Sequence, residues 1–315
     1  MVLLIEERPF IKLIKEICEE KSIDFSLLSR NWICQLKKND KVAYIVNKNF
    51  DLNPEAAGRI ACDKCATYIV LNSFKVPAVE HEIIFNPLSR ASYVEDTGNM
   101  SIVKSMLDKY KRIVIKATDG FEGKNVFLCT TMKEAEIAIQ RLFEIAPSFC
   151  ICPFYTIKKE YRTFYLDGNI ELIYGKTKPF VIGDGTSNLY SLIKNINLPN
   201  TQGVTHYLKE LDLEYIPKKG EKYELSWKYN LSDGATPSIL EKGELYTKIE
   251  NLAKKAGKAS NVRFATIDVI DTEEKGLMIL EINSGIGSTI FTEKIKDGKN
   301  IIKRIYSKAI DKMFE

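Results

Sequence analysis

Apolar residues recur along the chain with two alternating periods, one typical of helices and the other typical of strands. Helical spacing, in which apolar positions share one face, occurs at 10–20, 56–74, 102–110, 131–144 and 244–257. Runs rich in β-branched and aromatic residues predict strands at 41–47, 112–117, 126–129, 149–155, 161–167, 170–178 and within 262–287. Thr131 and Glu134 form a capping-box signature, and Asp167-Gly168 predicts a hairpin turn. Helices alternating with strands predict an α/β or α+β protein.

The length and composition favour a globular protein with two or three subdomains. The chain has 315 residues, of which 45% are hydrophobic, enough to bury a substantial core. The apolar run at residues 2–5 meets Glu6 and Glu7 at once, and no later run approaches the ~18 apolar residues of a membrane span. We therefore expect a cytoplasmic protein with no membrane partner.

Charge and cysteine content argue against two further classes. The net charge is +4, from 46 basic and 42 acidic residues, and the lysines are scattered among glutamates, which does not indicate a nucleic-acid partner. Seven cysteines without an export signal favour reduced thiols. The CxxC of Cys62 and Cys65 lacks the further ligands of a zinc site, because the only histidines are His81 and His206. We interpret these cysteines as small buried residues near a helix start.

The segment 262–287 carries three oxygen-bearing side chains in strands that should be buried. Glu281 and Asn283 are two residues apart and project from one face of a strand, and Asp268 on the neighbouring strand can converge with them. Three hard oxygen ligands suit Mg²⁺, which usually completes its shell with water and nucleotide phosphates. The alternative is that the two carboxylates cap strands or pair with lysines, and the cost of burying unpaired carboxylates disfavours it.

A cationic and glycine-bearing segment offers contacts to those phosphates. Lys116 ends a β-branched strand and precedes a turn with Gly120 and Gly123, whose backbone amides can approach phosphate oxygens closely. A flexible hairpin with a surface lysine fits the same residues and stays open as an interpretation. Other side chains that can face the phosphates or the metal are Arg162, Lys176, Asn230 and Ser232.

The order of these motifs resembles that of ATP-grasp ligases, most closely the ATP-grasp domain of cyanophycin synthetases and of bifunctional glutathione synthetases. The motifs are RIACDKCATYIVLNSFKVPAV, VIKATDGFEGKNV, KEYRTFYLDGNIELIYGKTKP, VIGDGT, YNLSDGATP, ATIDVI and ILEINSGIG. The resemblance implies an α+β ATP-grasp fold, with two α+β subdomains clasping ATP, preceded by an α/β N-terminal domain. The implied boundaries are 1–85 for the N-terminal domain, 86–155 for the small lid subdomain and 156–315 for the large subdomain with the Mg²⁺ site.

The resemblance also implies roles for individual residues in binding ATP phosphates. Lys116 would contact the phosphates beneath a lid that contains Gly120 and Gly123. Arg162 would steady the transferred phosphate or the substrate carboxylate, and Lys176 occupies a position that is commonly arginine in cyanophycin synthetases.

Other implied roles concern the adenosine and the metal. Adenine recognition would rest on backbone groups around Phe154 and Tyr155, because Pro153 stands near the position where relatives often have a glutamate. Glu160 would lie near the ribose. The residues that complete the set are Asn230 and Ser232 on ATP, and Asp268, Glu281 and Asn283 as ligands of Mg²⁺.

The activity implied by the resemblance is ATP-dependent joining of a carboxylate to an amine through an acyl phosphate, with release of ADP and phosphate. ATP and Mg²⁺ are the implied cofactors, with Mn²⁺ as a substitute. The expected partners are small molecules, namely an amino acid, a peptide or a carrier-bound carboxylate together with an amine, and family members often form homodimers. Two alternatives stay open: a carboxylate-thiol ligase and an ATP-binding module without catalysis.

Overall fold

The computed structural model describes residues 8–86, 100–118, 125–195 and 211–315. Its N-terminal segment combines three helices with a small sheet. Its elements are α1 (Pro9–Glu20), β1 (Asp24–Leu28), β2 (Ile33–Lys38), β3 (Lys41–Val46), β4 (Asn49–Phe50), α2 (Glu55–Cys62) and α3 (Lys64–Ser73). The strands pair antiparallel in the order β1-β2-β3-β4. The expected α/β character of this segment is therefore wrong, because its short turns cannot carry the crossover that parallel strands need.

The helix predicted over 56–74 is broken into α2 and α3 at Asp63. This residue has an extended backbone, and its carboxylate accepts hydrogen bonds from the backbone N–H groups of Cys65, at 2.8 Å, and Ala66, at 2.9 Å. Asp63 is thus the N-cap of α3. The apolar period continues across the break, which is why the spacing alone predicted a single helix.

The second part is a four-stranded antiparallel sheet covered by two helices. It comprises β5 (Glu82–Phe85), α4 (Met100–Tyr110), β6 (Ile113–Ala117), β7 (Val126–Cys129), α5 (Met132–Phe143) and β8 (Ser148–Pro153). The strand order is β5-β8-β6-β7, so the sheet begins at Glu82, ahead of the predicted boundary at residue 86. The predicted capping box is confirmed, since Thr131 Oγ1 accepts from Glu134 N–H while the Glu134 carboxylate accepts from Thr131 N–H.

The third part is built on a five-stranded antiparallel sheet. Its elements are β9 (Ile157–Leu166), β10 (Asn169–Thr177), β11 (Phe180–Ile182), α6 (Leu189–Lys194), β12 (Lys222–Glu224), β13 (Thr236–Ile239), α7 (Glu244–Ala259), β14 (Phe264–Thr272), β15 (Gly276–Asn283), α8 (Thr289–Lys294) and α9 (Gly298–Phe314). The strand order is β13-β10-β9-β14-β15. Asp167 and Gly168 join β9 to β10 with φ of 44° and 85°, the positive values of a tight hairpin turn, and the predicted hairpin is confirmed.

Alternation along β9 and β14 gives the large sheet two different faces. On one face Phe164 and Phe264 pack with Tyr306 of α9 and Phe10 of α1 in an aromatic core. On the other face, residues such as Ile267 pack against α7. Arg162 and Asp268 lie two and four residues from Phe164 and Phe264, so they share the aromatic face and continue it beyond the core. Within the described ranges, no helix has the length and apolarity needed to cross a membrane.

Candidate active site

A cavity of about 780 Å³ lies over the aromatic face of the large sheet, beyond the core. It is lined by residues from all three parts of the chain. Those with charged or amide side chains are Asn47, Lys48, Asn49, Lys64, Lys116, Glu160, Arg162, Lys176, Lys228, Asn230, Asp268, Glu281 and Asn283. The candidate residues predicted from separate motifs are therefore brought together, apart from those outside the described residues.

Strand register places charged side chains side by side across the sheet. Asp268 is directly opposite Arg162 of β9 and opposite Glu281 of β15. In the next row Lys176 of β10 is opposite Glu160 of β9. Neighbours in register stand about 5 Å apart, close enough for their side chains to bond directly.

Asp268 is the anion of a buried ion-pair cluster. Its Oδ1 accepts from Arg162 Nε at 2.7 Å, and its Oδ2 accepts from Arg162 Nη2 at 2.6 Å and from Lys176 Nζ at 3.0 Å. Lys176 Nζ also donates to Glu160 Oε1 at 2.5 Å. The Asp268 side chain is 2% exposed and that of Lys176 is 4% exposed, so these bonds replace water almost completely.

This environment sets the charge states of the cluster. Burial alone would raise the pKa of Asp268, but Arg162 and Lys176 outweigh it and lower that pKa to about 2. Burial raises the pKa of Glu160, and the attraction of Lys176 offsets this only in part. Burial disfavours the guanidinium of Arg162, yet Asp268 raises its pKa well above the ordinary value. Asp268 and Arg162 are thus both ionised at neutral pH.

Glu281 and Asn283 offer further oxygen atoms beside Asp268. Asn283 Nδ2 donates to Glu281 Oε1 at 3.1 Å, which leaves the amide oxygen of Asn283 for another partner. Lys64 Nζ lies 3.7 Å from Glu281 Oε2. Burial opposes ionisation of Glu281, but Lys64, Lys116 and the hydrogen bond from Asn283 together outweigh it and the pKa is lowered. The Glu281 carboxylate is therefore ionised at neutral pH without a bound metal ion.

The donor set fits a divalent cation that keeps part of its shell for other ligands. In the part of the chain that the structure describes, no three His, Cys, Asp or Glu side chains form a metal-binding cluster. Two carboxylates and one amide oxygen remain, and Asp268 Oδ1 has one lone pair beyond its bond to Arg162. Mg²⁺ is commonly held by one or two carboxylates together with water and phosphates, so the predicted ligands Asp268, Glu281 and Asn283 suit it.

Lys116 is the predicted phosphate lysine, and it lies on β6 opposite Cys150 of β8. Its side chain lines the cavity, and the residue is only 9% exposed. Among the described residues, its ammonium makes no hydrogen bond or ion pair. Burial disfavours this charge, but attraction by groups that include Glu281 raises the pKa of Lys116, so the ammonium is charged at neutral pH and can bind an anionic ligand in the cavity. The alternative of a flexible hairpin with a surface lysine is therefore wrong for Lys116. The predicted lid glycines Gly120 and Gly123 lie outside the described residues.

Phe154 and Tyr155 border an apolar end of the cavity, as predicted for an adenine site. The apolar residues that line this end are Val79, Val114, Val126, Cys152, Ile157, Ile270 and Leu280. However, the N–H of Phe154 donates to the Arg112 carbonyl at 3.0 Å, and the Arg112 guanidinium lies 3.9 Å from the centre of the Phe154 ring. The Phe154 N–H is therefore not available to hydrogen-bond adenine, and any backbone recognition of adenine must use other groups.

Asn230 and Ser232 line the cavity; Ser232 lies in a short 3₁₀ turn, Leu231–Asp233, and Asn230 is its N-cap. Asn230 Oδ1 accepts from Ser232 N–H at 3.3 Å, and Asn230 Nδ2 donates to Asp233 Oδ2 at 2.9 Å. Gly234 ends the turn with φ of 101°, a value that glycine adopts without strain. The Asn230 side chain therefore shapes the turn in addition to any contact with a ligand.

Three cavity lysines, Lys48, Lys64 and Lys228, were not predicted from the sequence. Lys64 reaches the site because Asp63 begins α3 directly before it. Lys48 reaches it because the turn between β3 and β4 packs against residues after β15. The only available signal was the Asp-Lys pair within the resemblance segment that starts at residue 56, and nothing in the sequence around Lys48 indicated a role.

Comparisons with known proteins identify the fold. Residues 221–307 match the model of the RimK-like ATP-grasp domain. Over 94% of its length the chain superposes on 44% of a bifunctional glutathione synthetase from Pasteurella multocida, with a TM-score of 0.55 and 17% identity. The chain has an ATP-grasp fold. The resemblance and the α+β ATP-grasp class predicted from the motif order are confirmed.

Curated relatives of this ATP-grasp chain are ligases by name. Cyanophycin synthetase of Trichormus variabilis is 24% identical over 97% of the chain, and tetrahydromethanopterin:alpha-L-glutamate ligase of Methanocaldococcus jannaschii is 26% identical over 69% of it. The chain spans 35% of the first of these relatives and the alignment covers 59% of the second.

Proposed function

We propose that this ATP-grasp chain is a ligase that joins a carboxylate to an amine, using ATP and releasing ADP and phosphate. The observation that carries the proposal is the row of Arg162, Asp268 and Glu281 on the cavity floor, with Lys116 facing the same cavity. Such a site provides positive charge for a phosphoryl group and oxygen ligands for its metal. The names of the curated relatives, a synthetase and a ligase, support the same class of reaction.

Different residues of the cavity suit the adenine, the phosphates and the metal of Mg·ATP. We assign the adenine to the apolar end near Leu280, the phosphates to Lys116, and the metal to Asp268, Glu281 and Asn283. A bound Mg²⁺ would neutralise phosphate charge and orient the terminal phosphate. Glu160 keeps Lys176 in place through their ion pair, whatever contact it makes with the ribose.

The proposed reaction has two steps that need no nucleophile from the protein. A substrate carboxylate oxygen attacks the γ-phosphorus, and the bond from that phosphorus to the bridging β-phosphate oxygen breaks. The products of this step are ADP and an acyl phosphate. An amine nitrogen then attacks the acyl carbon, loses a proton, and displaces phosphate as the amide forms. Arg162 and Lys176 offset the negative charge that moves between these groups, and fixed charges of this kind supply most of the catalysis in phosphoryl transfer.

The same proposal assigns a role to each of the three predicted domains. ATP would lie between the small lid subdomain, 86–155, and the large subdomain, 156–315, and the N-terminal domain, 1–85, would contribute to specificity for the acceptor. We expect the substrates to be small amino acids, peptides or carrier-bound acids, and the reaction to take place in the cytoplasm.

The test is nucleotide analysis after incubation of the protein with Mg·ATP and pooled carboxylates and amines. ADP and phosphate that depend on a substrate pool would support the ligase, and hydroxylamine should trap the acyl phosphate as a hydroxamate. AMP and pyrophosphate would contradict it in favour of adenylation. Tight ATP binding without turnover in any pool would favour the non-catalytic module, and turnover that requires thiols would favour the thiol ligase. The Glu281→Gln variant controls for contaminating ATPases.

A further inference from the structure

The cavity continues past the carboxylates into a compartment that the nucleotide does not need. β15 runs from Leu280, at the apolar end, through Glu281 to Asn283, and strand geometry separates Leu280 from Asn283 by roughly 10 Å. The chain then continues as a glycine-bearing loop that includes Gly285 and Gly287, which also lines the cavity. A base at Leu280 and phosphates near Glu281 leave this loop free for a second substrate.

The turn between β3 and β4 is fixed against that loop by backbone contacts. Ile286 N–H donates to the Lys48 carbonyl at 3.0 Å, and Asn49 pairs with Gly285 in an isolated β-bridge. Ser284 Oγ donates to Asn49 Oδ1 at 3.1 Å. The backbone of Lys48 is therefore held in place relative to the loop, so the lysine projects from a defined position.

The ammonium of Lys48 lies in this compartment. Its Nζ is 3.6 Å from the point that a Cβ on Gly287 would occupy, and the residue is half-buried. In the ranges that the structure covers, no hydrogen bond or ion pair engages this ammonium, whereas Arg162 and Lys176 each have a carboxylate partner. A fixed, unpaired cation in a partly enclosed pocket attracts an anionic group of the ligand.

We infer that Lys48 binds a carboxylate that the reaction does not consume, and that at least one substrate is accordingly an amino acid or peptide with a free carboxylate. The inference rests on the proposed function only in assigning the nucleotide to the opposite end of the cavity. Lys48 is then a specificity-determining residue supplied by the N-terminal segment. An uncharged amine would leave the lysine half-buried and unpaired, so the site discriminates against it.

The test compares binding of the proteinogenic amino acids with binding of their α-carboxamides by calorimetry, in the presence of Mg²⁺ and the non-hydrolysable ATP analogue AMPPNP. At least one free acid should bind the wild-type protein at least about tenfold more tightly than its amide, as expected for a charge-assisted contact. Lys48→Gln should abolish this difference, and Lys48→Arg should retain most of it. Lys38→Gln, which removes an exposed charge from the end of β2 in the same sheet, should behave as wild type.

Each contrary outcome is distinct from failure of the proposed function. Equal binding of acids and amides, or discrimination that persists in Lys48→Gln, would overturn the role of Lys48. If no amino acid binds, the same comparison is made with dipeptides and their C-terminal amides, and equal binding or no binding there would overturn it. Affinity for AMPPNP should be the same in Lys48→Gln as in wild type. If AMPPNP does not bind at all, the proposed function fails, and the same acid and amide titrations without nucleotide still decide the role of Lys48.

Discussion

Asp268 holds the Arg162 guanidinium in a two-pronged pair, through Nε at 2.7 Å and Nη2 at 2.6 Å, across neighbouring strands. Lys176 binds the same carboxylate and also Glu160, so two carboxylates, Asp268 and Glu160, balance two cations, Arg162 and Lys176. The cluster is therefore part of the fold as well as of the candidate site. Its members respond differently to substitution, and the predictions below use that difference.

Asp268→Asn should destabilise the protein as well as inactivate it. The amide leaves Arg162 and Lys176 buried with one carboxylate between them, and breaking a buried pair in this way costs about 3–5 kcal/mol. We expect the free energy of unfolding in urea to fall by that amount. Asp271→Asn is the matched control on the same strand, because the half-buried Asp271 makes only a 3.8 Å pair with Lys158. Equal losses in both variants would show that the cluster adds no stability.

The contribution of Asp268 should disappear in acid. Its pKa is lowered from 3.8 to about 2 in the folded protein, so the folded state binds this proton less readily than the unfolded state. The stabilisation is then fully present above the unfolded value and is lost as the pH falls through the folded value. The difference in unfolding free energy between wild type and Asp268→Asn, measured in urea, should be constant above about pH 5 and shrink by about 2 kcal/mol toward pH 2. A difference that grows in acid would contradict the lowered pKa.

Glu281→Gln separates metal binding from stability more cleanly than a change at Asp268. The Glu281 side chain is 24% exposed and its nearest cation, Lys64, is 3.7 Å away, so we expect the unfolding free energy to change by less than about 1 kcal/mol. The Mg²⁺ concentration needed for half-maximal AMPPNP binding should rise at least about tenfold, and ADP release should fall by orders of magnitude. Glu273→Gln, at an exposed position before the β14–β15 turn, is the control. An unchanged Mg²⁺ requirement would remove Glu281 from the predicted ligands.

Lys116→Met should weaken nucleotide binding with little change in stability. Among the described residues the ammonium makes no hydrogen bond or ion pair, so an apolar side chain of similar length should change the unfolding free energy by less than about 1 kcal/mol. The same change should weaken AMPPNP binding at least about tenfold, because a charged contact to phosphate is lost. Lys104→Met, on the exposed side of α4, controls for the loss of one charge. Weaker binding accompanied by a large loss of stability would mean that Lys116 is chiefly structural.

The sequence predicted those parts of the site that depend on local pattern. Asp268, Glu281 and Asn283 stood out because polar residues interrupted strands, and period-two alternation placed them on one face. Lys48 and Lys64 could not be found in this way, since packing of the N-terminal segment against the loop after β15 brings them in. Local periodicity contains no information about such long-range contacts.

Each error in the predictions has a specific structural cause. The apolar period across residues 56–74 hid the break at Asp63, whose carboxylate competes for backbone N–H groups. The antiparallel N-terminal sheet follows from turns too short for crossovers, which the expectation of an α/β domain overlooked. The unavailable N–H of Phe154 depends on Arg112, a residue far from it in the chain. The predicted division at residues 85 and 155 stays a prediction.

Two helical glycines give opposite expectations for the same substitution. A Cβ on Gly257 in α7 would lie 2.5 Å from the Tyr165 ring, whereas a Cβ on Gly58 in α2 would meet nothing within 4 Å. Gly257→Ala should therefore force the ring or the helix to move and cost about 1–3 kcal/mol in unfolding free energy. Gly58→Ala should add about 0.5–1 kcal/mol, because alanine loses less backbone entropy in a helix. Urea unfolding measures both, and a neutral Gly257→Ala would mean that α7 does not pack on the large sheet as closely as the structure has it.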